Sequence, residues 1–327
     1  MATLALLSTS SPPPSLLLRP MPSSLLRPLL PLRRRLSLAA AAAARPDTAL
    51  WTEAPVTTIH PASADGSLFH ISIDAGDLSS SHTSPGQYLQ VRLPGSEKPS
   101  FLAIASPPPS LDSSPTGEFE FLVKKIAGSV AELLCGLRSG DVVELSAVMG
   151  KGFEIHRISP ADAFQSVLIF ATGSGISPIR SLIESGFNAN ERSDVRLYYG
   201  ARNLQRMAYQ DRFEYWESTG VKIIPVLSRP EDKWKGERGY VQAAFGRAKE
   251  LVNPSSTGAV LCGHKQMAEV NRHYLVYLHD RSFLIDDHMQ LTIPFRSYDD
   301  CLRVLLQDVT SVLVADGVSK EKILKNF

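Results

Sequence analysis

Four largely apolar runs, Val167–Ala171, Val195–Tyr199, Lys222–Leu227 and Ala259–Cys262, alternate with helical stretches at Pro178–Glu184, Gln210–Glu217 and Tyr240–Leu251. No other feature of the chain restricts its fold so sharply. A strand buried on both faces reads as an unbroken apolar run, and strands alternating with helices build a parallel, doubly wound sheet. Ligands of such sheets bind outside the carboxyl ends of the strands, so the loops that follow each run are where chemistry is expected. The rhythm changes near residue 160. Upstream, Leu68–Ile73, Tyr88–Leu93, Phe119–Val123 and Val142–Ser146 read as short strands between turn clusters, with one helical stretch at Val130–Leu137. That pattern predicts an antiparallel barrel or sandwich over residues 48–158, followed by an α/β domain over 164–327.

The first 44 residues belong to neither part. They hold five arginines, no lysine and no acid, with runs such as Pro12-Pro13-Pro14 and Arg33-Arg34-Arg35. This composition predicts an organelle transit peptide. The serines and the Ala39–Ala44 tract favour a plastid, with a mitochondrion as the alternative; prolines and arginines break up the apolar core that a secretory signal needs. Without this segment the chain has 29 basic and 33 acidic residues, a net charge of about −4, so nucleic acid is not an expected partner. No run of about 20 apolar residues occurs, and no membrane-spanning helix is expected. Three scattered cysteines, Cys135, Cys262 and Cys301, form neither a disulfide framework nor a zinc pattern.

The strongest site signal is Ala171-Thr172-Gly173-Ser174-Gly175-Ile176-Ser177-Pro178. It leaves an apolar strand and enters a helix, with Pro178 near the first turn, where a missing N–H costs nothing. Glycines remove the Cβ atoms that would block a phosphate, and a helix start supplies free N–H donors. The loop is neither G-x-G-x-x-G nor a Walker loop, and by itself it is equally a tight turn with no ligand.

Taken in order, Gly86-Gln87-Tyr88, Gly128-Ser129-Val130-Ala131, Gly140-Asp141, the Ala171–Pro178 loop, Tyr199-Gly200-Ala201-Arg202 and Cys262-Gly263 with Met267 resemble the ferredoxin–NADP reductase superfamily over residues 50–270. The resemblance implies an FAD-binding antiparallel barrel followed by a nicotinamide-nucleotide domain. It implies that Thr172, Gly173, Ser174, Gly175, Ser177 and Pro178, with Gly200 and Arg202, face the nucleotide. Cys262 and Gly263 would lie beside the nicotinamide ring, although a cysteine filling a strand end is an equal reading of Cys262. Ser228, Arg229 and Arg238 would hold a 2′-phosphate, with Tyr240 stacking on the adenine and Gln242 nearby, so NADP(H) is expected over NAD(H).

The flavin half resembles the family less. Aligned on Ile104-Ala105-Ser106, the family's Arg-x-Tyr-Ser positions hold Ser100, Leu102 and Ala103. Lys98 or Lys124 could supply the cation, and Phe101 or Phe327 the aromatic surface. The strand through Val123 and Lys124, and the helix start at Gly128, Ser129 and Val130, remain as expected FAD contacts through their backbone. Residues 270–308 match nothing in the family and read as an insertion. Their His273, His279, Asp286, Asp287 and His288 fit no ligand spacing, so no metal is expected. Val309–Ala315, Gly317 and Ile323–Phe327 read as the family's last helix and strand. The implied activity is transfer of hydride from NADPH to FAD and of electrons onward to a small acceptor, such as a redox protein. The alternative is a non-catalytic NADP(H)-binding sensor that has lost flavin chemistry.

Overall fold

The computed structural model describes residues 51–109, 117–248, 251–263 and 309–326. The expected transit segment and insertion, and the site candidates Met267 and Phe327, lie outside the described residues.

Six strands of the first half form one antiparallel sheet among the described residues: β1 (Thr52–Pro61), β2 (Leu68–Asp74), β3 (Tyr88–Arg92), β4 (Ser100–Ala103), β5 (Glu118–Lys124) and β6 (Val142–Leu145), in the order β4-β3-β6-β1-β2-β5. A bridge between Ile104 and Phe121 links the two edges, so the sheet is a nearly closed barrel. Closure removes the exposed edges that an open sheet would present. Alternation decides what fills it: Leu89, Val91, Phe121, Val143 and Leu145 point inward and pack as one core. A short helix, α1 (Val130–Leu134), covers the end of β5. It stops three residues before its expected end at Leu137, because Gly136 follows the cap and the chain turns back toward β6.

The second half is a six-stranded parallel sheet among the described residues. Its elements are β7 (Ser166–Thr172), α2 (Ile176–Glu184), β8 (Asp194–Ala201), α3 (Phe213–Ser218), β9 (Val221–Leu227), β10 (Glu237–Arg238), α4 (Val241–Ala248), β11 (Thr257–Cys262), α5 (Val309–Ala315) and β12 (Ile323–Asn326), with strand order β10-β9-β8-β7-β11-β12. The final strand finds its place beside β11, with Ala259 opposite Ile323 and Cys262 opposite Asn326. Both faces are buried. Val167, Ile169 and Ala171 face α2 and α3, while Leu168 and Phe170 face α4 and α5. On the second face Phe170 stacks on Tyr198 at 5.3 Å, and Phe245 of α4 meets both edge-on. Side chains buried this fully contribute roughly 1.5–3 kcal/mol each. No helix among the described residues is long and apolar enough to cross a membrane.

The barrel also buries a titratable ring. His82 packs edge-on against Phe119, and burial pushes its imidazole down from 6.5 to about 4. The folded chain thus refuses a proton that the unfolded chain accepts below pH 6.5, and stability falls as pH drops from there toward 4, by about 3 kcal/mol over the whole window. His82→Met, which cannot charge, should flatten this dependence in urea melts run at pH 7 and pH 5. An unchanged slope would mean that His82 does not govern it.

Candidate functional site

The strand ends of the parallel sheet open onto the outer face of the barrel, and between them lies a cleft of about 1080 Å³. The loop after β7 forms one wall through Thr172, Gly173, Ser174, Gly175, Ser177 and Pro178. Cys262 and Gly263, at the end of β11, continue it. The opposite wall is the barrel: Tyr88 of β3, Ser100–Ala103 of β4, and Leu122, Val123 and Lys124 of β5, with Ser129 and Ala131 at the start of α1.

Close backbone approach makes this geometry. A Cβ on Gly175 would stand 2.5 Å from the Cys262 carbonyl oxygen, and one on Gly263 would collide with Thr172 Oγ1 and lie 3.0 Å from its backbone nitrogen. The glycine loop and the β11 end therefore touch main chain to main chain. Above Gly173 a Cβ would meet nothing within 4 Å, so the loop's outer surface is open to the cleft. Ser177 ties the loop across to the barrel, its hydroxyl donating to the Ala103 carbonyl at 3.2 Å. The Cys262 thiol is 7% exposed, and burial pushes it up to about 12. It faces the cleft as a neutral thiol, a small apolar filler that is no nucleophile at neutral pH.

On the barrel wall, pairing of β3 with β4 sets Tyr88 opposite Ala103 and Gln90 opposite Phe101. Phe101 therefore projects outward, 64% exposed, with Tyr88 6.1 Å from it. Leu102 packs against the barrel interior. Ser100, Leu102 and Ala103 do border the cleft, as the alignment expected. Of the two rings expected to offer an aromatic surface, Phe101 borders the cleft and Phe327 lies outside the described residues; Tyr88, read only as a strand residue, borders it too. Two cations reach in, Lys124 and Arg202, and no carboxylate pairs with either among the described residues. Arg206 also lines the cleft, but Asp65 binds it at 2.7 Å. Burial works to raise the Asp65 carboxyl, yet hydrogen bonds from Ser67, Ser63 and Arg206 hold it at about 2. Asn326, also unforeseen, borders the cleft from β12 and donates to the Gly86 carbonyl.

Several expected residues stand elsewhere. Ile104 and Ala105 are fully buried, and Ser106 spends its hydroxyl on the Glu120 N–H and its carbonyl on Ser181. None of the three borders the cleft, because the chain turns inward there to close the barrel. Lys98 does not line it either. At the α1 start, the amides expected to be free are in use. The Gly128 N–H donates to the Glu132 carboxylate at 2.8 Å, the Ser129 N–H to the Ile126 carbonyl, and the Glu132 N–H to Ser129. A capping arrangement thus fills the place where a diphosphate was expected, leaving the Val130 and Ala131 N–H groups without a backbone acceptor among the described residues. Gly200 lies inside the sheet, where a Cβ would crowd Val241 and Thr172.

Ser228, Arg229, Arg238, Tyr240 and Gln242 do not line the cleft; Ser228 and Arg229 adjoin its residues Ala201 and Arg202, while Arg238 lies on β10, beyond β9. The Ser228 N–H donates to Ala201 and the Arg229 N–H to Arg202, while Gly239 bonds Leu227. Arg238 is spoken for: Nη2 donates to the Trp234 carbonyl at 2.7 Å and to Asp232 at 3.2 Å. Arg229 is exposed and has no side-chain partner among the described residues, and the Tyr240 ring is 56% exposed. Arg229 thus stands next to Arg202, and the Tyr240 ring follows β10, one strand further out.

The profile of an oxidoreductase NAD-binding domain matches residues 169–273. Fruit protein pKIWI502 of Actinidia deliciosa is 46% identical over 255 residues, 74% of this chain and 80% of that protein. Ferredoxin–NADP reductase B of Sorangium cellulosum is 31% identical over 191 residues, 56% of this chain and 74% of that protein. Among solved structures, a ferredoxin NADP+ reductase from Neisseria gonorrhoeae with bound FAD and NADP superposes with a TM-score of 0.55 at 17% identity, covering 74% of this chain and 94% of that one. The last is a likeness of fold.

The Gly175 contact generates a sharp expectation. Gly175→Ala meets backbone atoms that cannot swing away and should cost about 1–3 kcal/mol in denaturant melts. Gly246→Ala, in α4 with open space around it, should instead be neutral or stabilise by about 0.5–1 kcal/mol. Equal effects would contradict the close approach.

Proposed function

The chain belongs to the ferredoxin–NADP reductase superfamily of flavoprotein NAD(P)H oxidoreductases, and from that premise we propose that it binds FAD on the barrel wall and NADPH on the sheet wall. The observation that carries this is the cleft itself, where an aromatic surface on β3 and β4 faces a glycine loop across about 1080 Å³ of space. Pockets for single ligands run from about 300 to 1000 Å³, so the volume suits two heterocycles brought together. The lining fits both groups: Phe101 and Tyr88 offer ring faces, Lys124 and Arg202 offer cations, and the surface over Gly173 is open to a phosphate.

Phe101, Tyr88 and Lys124 would hold FAD, which would supply a two-electron acceptor for hydride from NADPH, leaving NADP+, and would hand the electrons on to a small acceptor such as a redox protein. The chain's own contribution is placement. Thr172–Pro178 holds the nucleotide's diphosphate against the start of α2. Gly263 lets the nicotinamide approach the strand end closely, and the neutral Cys262 thiol fills the space beside it without competing for protons. Arg202 and Arg229 recognise the 2′-phosphate with Ser228, and Tyr240 stacks on the adenine. Arg238 supports the loop that carries them. The composition of the first 44 residues supports action in a plastid.

One observation favours a second reading, a non-catalytic NADP(H) sensor. Glu132 places a carboxylate on the Gly128 amide, where the diphosphate of FAD would otherwise sit. The absorption spectrum of the purified chain separates the two readings. A yellow protein bleached by NADPH supports the oxidoreductase, and a colourless one that binds NADPH supports the sensor. If FAD displaces the carboxylate, Glu132→Gln should tighten its binding by about 0.3–1 kcal/mol, roughly two- to fivefold in Kd. Arg229→Ala should raise KM for NADPH by about tenfold or more while leaving NADH nearly unchanged. Equal effects on the two nucleotides would remove the NADPH preference.

A further inference from the structure

The helix that carries the glycine loop is fastened to the barrel by directional polar contacts along its whole length. Ser177, Arg180, Ser181 and Glu184 recur at helical spacing on α2. Ser177 donates to the Ala103 carbonyl at 3.2 Å, and Ser181 to the Ser106 carbonyl at 2.8 Å. Between them Arg180, only 3% exposed, pairs with Glu120 of β5 and, at 3.1 Å, with Glu184 one turn further on. Its Nη1 also lies 3.2 Å from His70 Nε2 of β2, and the guanidinium sits over the Tyr209 ring. Glu184 is itself held by Arg212 and by the Trp216 indole N–H. Burial works to raise the Glu120 carboxyl, but His70 and Arg180 hold it at about 2, so the pair stays ionised.

A buried ion pair is a poor way to gain stability, since apolar side chains of similar volume often serve as well or better. What it supplies is geometry, because a planar guanidinium between two carboxylates fixes distance and angle together. That geometry is needed here. The barrel residues fastened to α2, Ala103 and Ser106, flank the end of β4, whose Ser100, Leu102 and Ala103 border the cleft with short or apolar side chains that cannot by themselves fix a ligand's orientation. Resting on the function proposed above, we propose that the Arg180–Glu120 pair, with Ser177 and Ser181 on either side, is a positioning device that locks the glycine loop to the flavin-facing strand and so sets the separation of the two nucleotide sites.

The test uses the full chain with Glu120→Gln, Arg180→Lys and Ser181→Ala. Without added nucleotide, hydrogen exchange should rise together in segments 100–106 and 176–184 of each variant. With FAD bound, the limiting rate of bleaching at saturating NADPH should fall about tenfold or more in Glu120→Gln, while Kd for NADPH moves less than about threefold. Arg180→Lys keeps the charge and loses the fork, so its rate should lie in between. If Glu120→Gln fails to fold, Ser181→Ala decides by the same split. Folded variants that bleach at the wild-type limiting rate, or lose only NADPH affinity, overturn the positioning role while leaving the oxidoreductase reading intact. A wild-type chain that binds NADPH yet is never bleached removes that reading and the positioning role with it.

Discussion

The contact on which the site depends is the meeting of two main chains, the glycine loop after β7 and the end of β11. Neither backbone could come so close with a Cβ between them. Because they do, the loop turns its outer surface toward the barrel, and the start of α2 is aimed into the cleft. β7 and β11 are neighbours in the sheet, with Ala171 opposite Cys262. The register of one strand pair thus fixes where the loop stands, and the loop in turn fixes where a phosphate would lie.

The two walls of the cleft reach their form by different physics. The sheet wall is built from backbone and small residues, held by a core of aromatic and branched side chains on both faces. The barrel wall relies on alternation, which turns Phe101 outward and Leu102 inward. Between the walls runs a polar seam in which Arg180 bridges Glu120 and Glu184, with the Glu120 carboxyl held low by His70 and Arg180. Such a seam tolerates little displacement, since any shift strands a buried charge. It makes one body of two sheets that the chain encodes separately.

Some of this was legible in residue order. Unbroken apolar runs announced β7, β8, β9 and β11, and the glycine loop announced one wall of the cleft, because burial on both faces and close approach leave marks on composition. The barrel's inner face was equally readable. The capping box at Ser129 and Glu132 could have been found from its S-x-x-E spacing, and its reading as a free anion site missed what that glutamate does. Asn326 and Arg206 carry no local signal at all, and Tyr88 was visible only as the last residue of Gly86-Gln87-Tyr88. Their importance comes from where folding leaves them, and a tyrosine on a half-buried strand looks the same whether or not a cleft opens beside it.

Residue order by itself determined the two kinds of sheet, the sequence of their elements and the glycine loop that lines the cleft, since each follows from periodicity and from steric limits within a few residues. Tertiary structure alone decided that Tyr88 joins Phe101 at the cleft, that Arg238 turns back on its own loop, and that Arg180 finds Glu120, 60 positions away in sequence. Those outcomes depend on pairing register and on charge partners distant in sequence, and no local rule of spacing contains that information.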